Sequence, residues 1–590
     1  MKALNMQSVV RGISVFFRNR YVLFILFFCL YSQLFVAVGG IVTAKRLLLQ
    51  YLELPLLLYL FWYLNVLIKP SRVQALIAAT PLFFSYLGPD ISFLLLGRVF
   101  RLGDLSEVPE LVGVMSPFYL ILAVGAIIAC LLFLVLSLSL KRWKTVIIGA
   151  LPLAALVIAV EIFPQSFING FQVWGREVVN WSDAESVVNN GRFAMLCYRE
   201  AERRLAHEKT NSFYNRETYN QEALDLAGWL KEKGNRRNVH LVIMESFIDP
   251  TLFANASYSQ SPMHPDYKKM FVGRMGYSLS PVFGGRTSQA EFEALCGVPA
   301  YEEMGGVEFN SFSGSAAWCL PGVLRESGYR AAASNAFKPN FFNAVNAYQG
   351  IGFGEQYYPQ EYSPASDSYL STGDVKSEIY MFDGDLFAQN REFVRQALAE
   401  KDHPPLFNYL LTMYGHLPYI LDKVKRPEFI KLTSKYGDGN LERVANQFWY
   451  RSQAVAEHVR ELTKIDPDGL IIIVSDHLPP LAGLSTYRKL RYLGGSEGSR
   501  YINRILIIDR GKPRLYKTIH HYDIPSLILN TLTDGAFSGP QPGTSARAFT
   551  DPSDSFDAAG QQTGRPVKQP AKQPTELHQR YMRLMAHAIK

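Results

Sequence analysis

Nowhere in the 590 residues is there a basic stripe with interleaved aromatics. The formal net charge of +8 is modest for that length, so the charge pattern makes no case for nucleic acid as a partner. Cysteine is scarce, with five in the chain. Cys29 and Cys130 lie in long apolar runs, where each reads as a small apolar residue. Cys296 and Cys319 can close a short loop by a disulfide in an oxidising compartment, which leaves Cys197 over.

Long apolar runs are what the first quarter of the chain does have. Residues 21–39 (YVLFILFFCLYSQLFVAVG) are long enough to span a bilayer, and similar runs follow at about 47–68, 73–96, 117–140 and 143–162. Five spans are expected. The repeated spans downstream disfavour a cleaved signal peptide for the first run. The runs hold few ionisable residues, Glu53 and Asp90 among them, which argues against a transporter, whose substrate pathway ordinarily holds more. Lys2, Arg11, Arg18 and Arg20 precede the first run, Lys69 and Arg72 join the second to the third, and Lys141, Arg142 and Lys144 join the fourth to the fifth. These cations all fall on one side, the cytoplasmic one by the positive-inside rule, although Lys45, Arg46, Arg98 and Arg101 run against it. An odd number of spans then places everything after about residue 163 outside the cytoplasm.

Residues 163–236 are polar and mostly helical in pattern, as in 192–206 and 218–233, and read as a linker. From Asn238 the texture becomes α/β. The apolar runs 239–244 (VHLVIM), 406–413 (LFNYLLTM), 470–474 (LIIIV) and 505–508 (ILII) have strand length. Separated by helix-length segments, they predict a parallel sheet buried on both faces. Ligands of such sheets gather beyond the carboxyl ends of the strands, where Glu245, His416, Asp476 and His477 fall. Residues 538–575, rich in Pro, Gln, Ser and Gly, read as a disordered tail, closed by a short basic helix at 576–589.

The stretch 284–293 (GGRTSQAEFE) joins two glycines, a cation and two hydroxyls to the S-x-x-E spacing of a capping box at Ser288 and Glu291. That spacing places Thr287 just outside a helix N-terminus, which favours a phosphate or a developing oxyanion. Taken alone it reads equally as a plain helix start. Glu245, Asp476 and His477 supply hard oxygen and imidazole ligands suited to a divalent ion such as Mn²⁺, Zn²⁺ or Mg²⁺. A threonine hydroxyl bound to that ion has the depressed pKa a nucleophile needs.

Five spans, a helical linker and an ectodomain with MESF, GRTSQAEF, TMYGHLPY and SDH together resemble the lipoteichoic acid synthase and phosphoglycerol transferase family of the alkaline phosphatase and sulfatase superfamily. The resemblance implies a polytopic α-helical membrane domain (1–162), a helical linker (163–236), a sulfatase-like α/β extracytoplasmic domain (237–537) and a low-complexity tail (538–590). It implies one metal ion, Mn²⁺ first and Zn²⁺ or Mg²⁺ as alternatives, held by Glu245, Thr287, Asp476 and His477. Thr287 is then the nucleophile that becomes phosphorylated, and His416 and Arg286 contact substrate. The implied donor is phosphatidylglycerol and the implied acceptor a glycan or glycerophosphate polymer outside the plasma membrane of a bacterium. One departure concerns the headgroup. The family commonly has a histidine and then Phe-Trp-Asn-Arg where this chain has Asn335 to Lys338 and then Phe341-Phe342-Asn343-Ala344, so the arginine is missing at Ala344 and Lys338 or Asn346 stands in. No C/S-x-P-x-R motif surrounds Thr287, which speaks against sulfate ester hydrolysis. Two rivals remain. A phosphoethanolamine transferase would use an acidic pocket for the ammonium, with Glu291, Glu293, Glu302 and Glu303 as sources; a non-catalytic glycan-binding scaffold would be expected to have lost at least one ligand.

Overall fold

The computed structural model describes residues 19–39, 50–96, 135–176, 183–213, 217–297, 318–339, 341–363, 367–373, 379–516 and 518–537, with residue 178 and isolated positions between 102 and 133. Most of the fourth apolar run, the outer loop 97–116 and the tail 538–590 lie outside these. The chain divides into two compact units, Met1–Leu205 and Ala206–Lys590.

The first unit is helical: Arg20–Gly39, Glu53–Leu67, Gln74–Leu96, Trp143–Ile162, Pro164–Trp174 and Asp183–Asn190, followed by the start of Arg192–Phe213. Among the described residues Trp143–Ile162 is long and apolar enough to cross a membrane, and Arg20–Ser32 and Glu53–Leu67 are shorter apolar helices. Glu53 and Asp90, the rare acids of the apolar runs, are buried. Both are occupied by the start of the Arg192–Phe213 helix. Glu53 accepts from the backbone N–H of Arg192 (3.0 Å), Phe193 (3.1 Å) and Ala194 (2.9 Å), so a side chain from one helix satisfies three orphan donors of another. Asp90 takes the Arg192 guanidinium in a two-pronged pair at 2.6 and 2.7 Å and the Tyr31 hydroxyl at 2.9 Å. Gly191 precedes this junction at φ +100°, where a Cβ would stand 2.3 Å from the Glu53 side chain.

Among the described residues the second unit is built on a nine-stranded sheet. Its strands are β1 (Val239–Met244), β2 (Gly276–Leu279), β3 (Arg330–Asn335), β4 (Glu355–Tyr357), β5 (Leu406–Leu411), β6 (Leu470–Ser475), β7 (Ile502–Asp509), β8 (Lys512–Pro513) and β9 (Thr518–His520). The order is β4-β3-β5-β1-β6-β7-β2-β9, with β8 on β7. β1 lies at the centre, parallel to β5 and β6. The expectation of a wholly parallel sheet fails at β7, which runs antiparallel to both β6 and β2. The connection from β6 through residues 476–501 contains Leu484–Lys489 and two 3-10 turns in place of the long helix that usually carries the chain back for a parallel return.

β1, β5 and β6 are buried at every position, because helices cover both faces. Leu241, Ile243, Tyr409 and Ile472 pack on one side with Leu226, Leu230, Phe292, Leu295 and Ile528. Val242, Met244, Leu410 and Ile473 pack on the other with Phe271, Leu386, Phe448 and Val455. A disulfide joins Cys296, at the end of the helix Thr287–Cys296, to Cys319, just before the helix Leu320–Glu326. Cys29 and Cys197 are free, and Cys130 is outside the described residues.

Replacing Cys296 and Cys319 together by serine should lower the unfolding free energy by about 3 kcal/mol, the chain-entropy value for a loop closed over a separation of 23 residues. The check is the denaturant midpoint of the purified chain. A midpoint that does not move would show that the crosslink contributes nothing to stability.

Candidate active site

The site is assembled by strand register. Met244 of β1 is paired with Ser475 of β6, so the next residues, Glu245 and Asp476, leave the sheet side by side. On the other flank Ile243 is paired with Leu411 of β5, and Thr412 just beyond accepts from the Glu245 N–H at 3.1 Å. The third contribution comes from the bend before the helix Thr287–Cys296. Gly284, Gly285 and Arg286 have φ of +71°, +147° and +70° in succession, a path the two glycines permit and Arg286 takes under strain.

This bend corrects the expected helix start. Arg286 is the N-cap and Thr287 the first helical residue, so Thr287 lies inside the helix and the capping box of Ser288 and Glu291 does not form. Glu291 is drawn into the core instead, where the hydroxyls of Tyr348 (2.7 Å) and Tyr409 (2.5 Å) both donate to its Oε1.

The Thr287 hydroxyl lies 3.0 Å from Glu245 Oε2 and 2.8 Å from Asp476 Oδ2. His477 Nε2 is 3.3 Å from Asp476 Oδ2 and 3.8 Å from Glu245 Oε1. All four residues are buried, Thr287 at 7% exposure and the other three at 2% or less. Glu245, Asp476 and His477 offer ligand atoms within 4.8 Å of one another, a group that could hold a metal ion. Burial first, then the neighbouring Glu245 charge, holds the Asp476 carboxyl well above the usual carboxylate range, while Glu245 is lowered against its own burial by His477 and then His416. Two buried carboxylates this close resist sharing two negative charges unless a cation joins them. The His477 ring adds to this. Its Nδ1 faces the Leu478 carbonyl at 3.1 Å, an acceptor that holds a proton on Nδ1 and leaves Nε2, on the carboxylate side, as the atom a metal would take. Two carboxylates, an imidazole lone pair and a hydroxyl are a donor set that fits a hard or borderline divalent ion.

Several contacts that the sequence reading missed hold these groups. Ser246 donates to Glu245 Oε1 from its hydroxyl (2.7 Å) and to Asp476 Oδ1 from its N–H (2.8 Å). The buried pair of Arg451 and Asp383 (2.6 Å) aims a second guanidinium N–H at the Glu245 carbonyl, 2.8 Å away. Gly415 is required where it stands, since a Cβ there would be 2.1 Å from that same carbonyl oxygen. No local pattern announced Arg451, which sits inside a long amphipathic helix, Gly439–Ile465.

His416 is half-buried, with Nδ1 3.0 Å from the Tyr380 hydroxyl. Arg286 is buried directly before Thr287. Ala344 is buried at the start of the helix Ala344–Ile351. Asn346 is engaged locally, donating to Asn343 at 2.7 Å. Lys338 is exposed and stands over Phe337, whose ring meets that of Tyr380 at 5.6 Å, so it rims the His416 side of the site. Glu291 and Glu293 are each 3% exposed, and Glu302 and Glu303 lie outside the described residues.

Fold and site thus define an α/β domain whose centre is a threonine hydroxyl shared by a metal-capable cluster. Residues 237–530 match the family model described as Sulfatase, so the chain carries a Sulfatase-family domain. A Rhizobium meliloti (strain 1021) protein provisionally named as a cyclic beta-1,2-glucan modification protein is 27% identical over 271 residues, 45% of this chain and 38% of that one. An uncharacterized Haemophilus influenzae protein (strain ATCC 51907 / DSM 11121 / KW20 / Rd) is 28% identical over 197 residues, 31% of this chain and 33% of that one. The chain therefore matches well under half the length of either relative. Among solved structures, the Streptococcus pyogenes phosphoglycerol transferase GacH in complex with sn-glycerol-1-phosphate is 18% identical, with 65% of this chain and 92% of that one covered at a TM-score of 0.44. The Listeria monocytogenes lipoteichoic acid synthase LtaP is 17% identical, with 53% and 78% covered at 0.41.

Burial raises the Glu291 carboxyl from 4.5 to about 7, with its two tyrosine donors opposing the rise. The folded state then binds this proton more tightly than the unfolded state does, so the stability it contributes is present below about pH 4.5 and lost as pH rises through about 7. Glu291→Gln keeps an acceptor for both hydroxyls and should remove a fall on the order of 3 kcal/mol across that window. Denaturant midpoints of parent and variant at the two ends of the window measure it; equal pH slopes would contradict the assignment.

Proposed function

We propose that this chain is a membrane-anchored transferase that moves phosphoglycerol from phosphatidylglycerol to an extracytoplasmic glycan through a phosphothreonine at Thr287. The observation that carries the reading is the Thr287 hydroxyl held by both Glu245 and Asp476 at the head of a helix. Glu245, Thr287, Asp476 and His477 are the residues that would hold one divalent ion, Mn²⁺ first, with Zn²⁺ or Mg²⁺ as alternatives. Bound there, such an ion lowers the hydroxyl pKa and offsets charge on phosphoryl oxygens.

The chain's own residues supply the rest. Glu245 and Asp476 orient the Thr287 oxygen, which attacks phosphorus. The Thr287 oxygen–phosphorus bond forms as the bond from phosphorus to the diacylglycerol oxygen breaks, and that oxygen leaves with a proton. An acceptor hydroxyl then attacks the phosphothreonine, restoring Thr287. The positive end of the helix dipole at Thr287 favours the anionic group during both steps. His416, steadied at Nδ1 by Tyr380, exchanges a proton or orients substrate in one of them. Arg286 and Lys338 supply cations beside the nucleophile and on the rim.

Supporting the choice of headgroup, Glu291 and Glu293 are buried, and Glu291 is taken up by two tyrosines, so neither offers the acidic pocket an ethanolamine ammonium would need. Supporting a glucan acceptor is the name of the Rhizobium meliloti relative. The Cys296–Cys319 disulfide suits the oxidising side of a bacterial plasma membrane. On this reading residues 1–162 form a five-span membrane domain, 163–236 the connection, 237–537 the catalytic domain and 538–590 a tail. Tethering raises the effective concentration of lipid donor.

Incubation with lipids carrying labelled headgroups tests this, with divalent metal supplied. Diacylglycerol should be released from phosphatidylglycerol and not from phosphatidylethanolamine, and Thr287→Ala should abolish release without loss of fold by circular dichroism. Release from phosphatidylethanolamine alone would transfer the reading to the other headgroup. No release from either lipid would refute it.

A further inference from the structure

Beyond His416 the chain continues into a loop that reaches the helix Gly439–Ile465, and the loop exposes apolar side chains beside the site. Val424 at its tip is 91% exposed and Ile420 is 43% exposed, with exposed Lys423 and Lys425 on either side of the valine. A lone exposed valine would call for no explanation. This one is held outward by a braced framework. Asp422 Oδ1 accepts from the N–H of Val424 (2.8 Å) and Lys425 (3.0 Å), and the Arg426 N–H donates to the Asp422 carbonyl at 2.7 Å. The Arg426 guanidinium lies 4.1 Å above the Phe382 ring and 5.8 Å from that of Tyr414, two residues before His416. On the return path the N–H groups of Phe429 and Ile430 donate to Asn446 Oδ1 at 2.8 and 2.9 Å, and Tyr450 donates to the Pro427 carbonyl at 2.9 Å.

The loop therefore cannot fold its apolar tip back without breaking contacts at both ends. Asp422 Oδ1 is engaged by the loop's own N–H groups, and against that one carboxylate residues 420–426 carry three cations, Lys423, Lys425 and Arg426, so the tip is net cationic. Apolar side chains flanked by lysines match a surface that is anionic at its face and apolar just beneath. An acidic protein would meet the lysines but offers no general reason for a protruding valine.

We propose that residues 420–426 form a lipid-docking finger, in which Val424 and Ile420 enter an anionic lipid surface while Lys423 and Lys425 pair with its headgroups. The finger springs from the strand end that carries His416, so docking brings lipid phosphodiesters to the His416 side of Thr287. This purpose rests on the transferase reading, but the docking itself does not require turnover.

The test uses the full chain in nanodiscs of phosphatidylcholine with or without phosphatidylglycerol, with p-benzoylphenylalanine replacing Val424. Illumination should yield a lipid adduct in discs containing phosphatidylglycerol, and Lys423→Glu with Lys425→Glu should cut the yield more than about tenfold, since each lysine contributes to anionic-surface attraction and each glutamate opposes it. Thr287→Ala should leave the yield unchanged, which separates failure of the finger from failure of the transfer reaction. No lipid adduct, equal adduct in discs of phosphatidylcholine alone, or crosslinking to protein instead would each overturn the proposal.

Discussion

Everything in the catalytic domain depends on one costly juxtaposition, two carboxylates brought together out of water around a single hydroxyl. Glu245 and Asp476 are both buried, and the separation of the Thr287 oxygen from each is that of a hydrogen bond. Left alone, such a pair would favour strands that diverge. Register prevents it, because β1 and β6 are central, parallel and buried along their whole length, so their carboxyl ends stay paired. Arg451 fastens the Glu245 carbonyl from below, and Gly415 leaves room for it. The sequence Gly284-Gly285-Arg286 turns the chain through three left-handed residues to deliver Thr287. A cation is the natural complement to what this scaffold holds together.

The architecture was legible where burial is continuous. β1, β5 and β6 stand out as apolar runs because helices cover both of their faces, and the acids and histidines after them could be placed from strand ends alone. β3 could not be seen, since Arg-Ala-Ala-Ala-Ser-Asn has no β-branched or aromatic residue and reads as well for a helix. β7 was visible as an apolar run, but nothing in a run of isoleucines distinguishes an antiparallel neighbour from a parallel one. The S-x-x-E spacing at Ser288 misled for a physical reason. Spacing cannot report that Tyr348 and Tyr409, one on a distant helix and one on β5, compete for the Glu291 carboxylate and win it for the core. Arg451 and Asp383 were equally silent, being ordinary members of helix patterns until the fold pairs them.

The same logic governs Glu53 and Asp90 in the helical unit. As isolated acids in apolar runs they could mark a pathway, yet here the two carboxylates receive the N–H groups and the guanidinium at the head of a single helix. Asp90 and Arg192 form an ion pair largely removed from water, and Glu53 caps a helix end that would otherwise be unsatisfied. The acids thereby fasten the start of the helix that follows the apolar runs, which is a structural use.

The central claim is that the Thr287 hydroxyl oxygen takes the phosphoryl group. Mass spectrometry of the Thr287 peptide, from full chain incubated with phosphatidylglycerol and divalent metal and then acid-quenched without acceptor, tests it most directly. The account predicts a glycerophosphoryl group on Thr287, lost when acceptor glucan is added before the quench. Diacylglycerol release with Thr287 unmodified at every time point, or with the adduct on another residue, would contradict it.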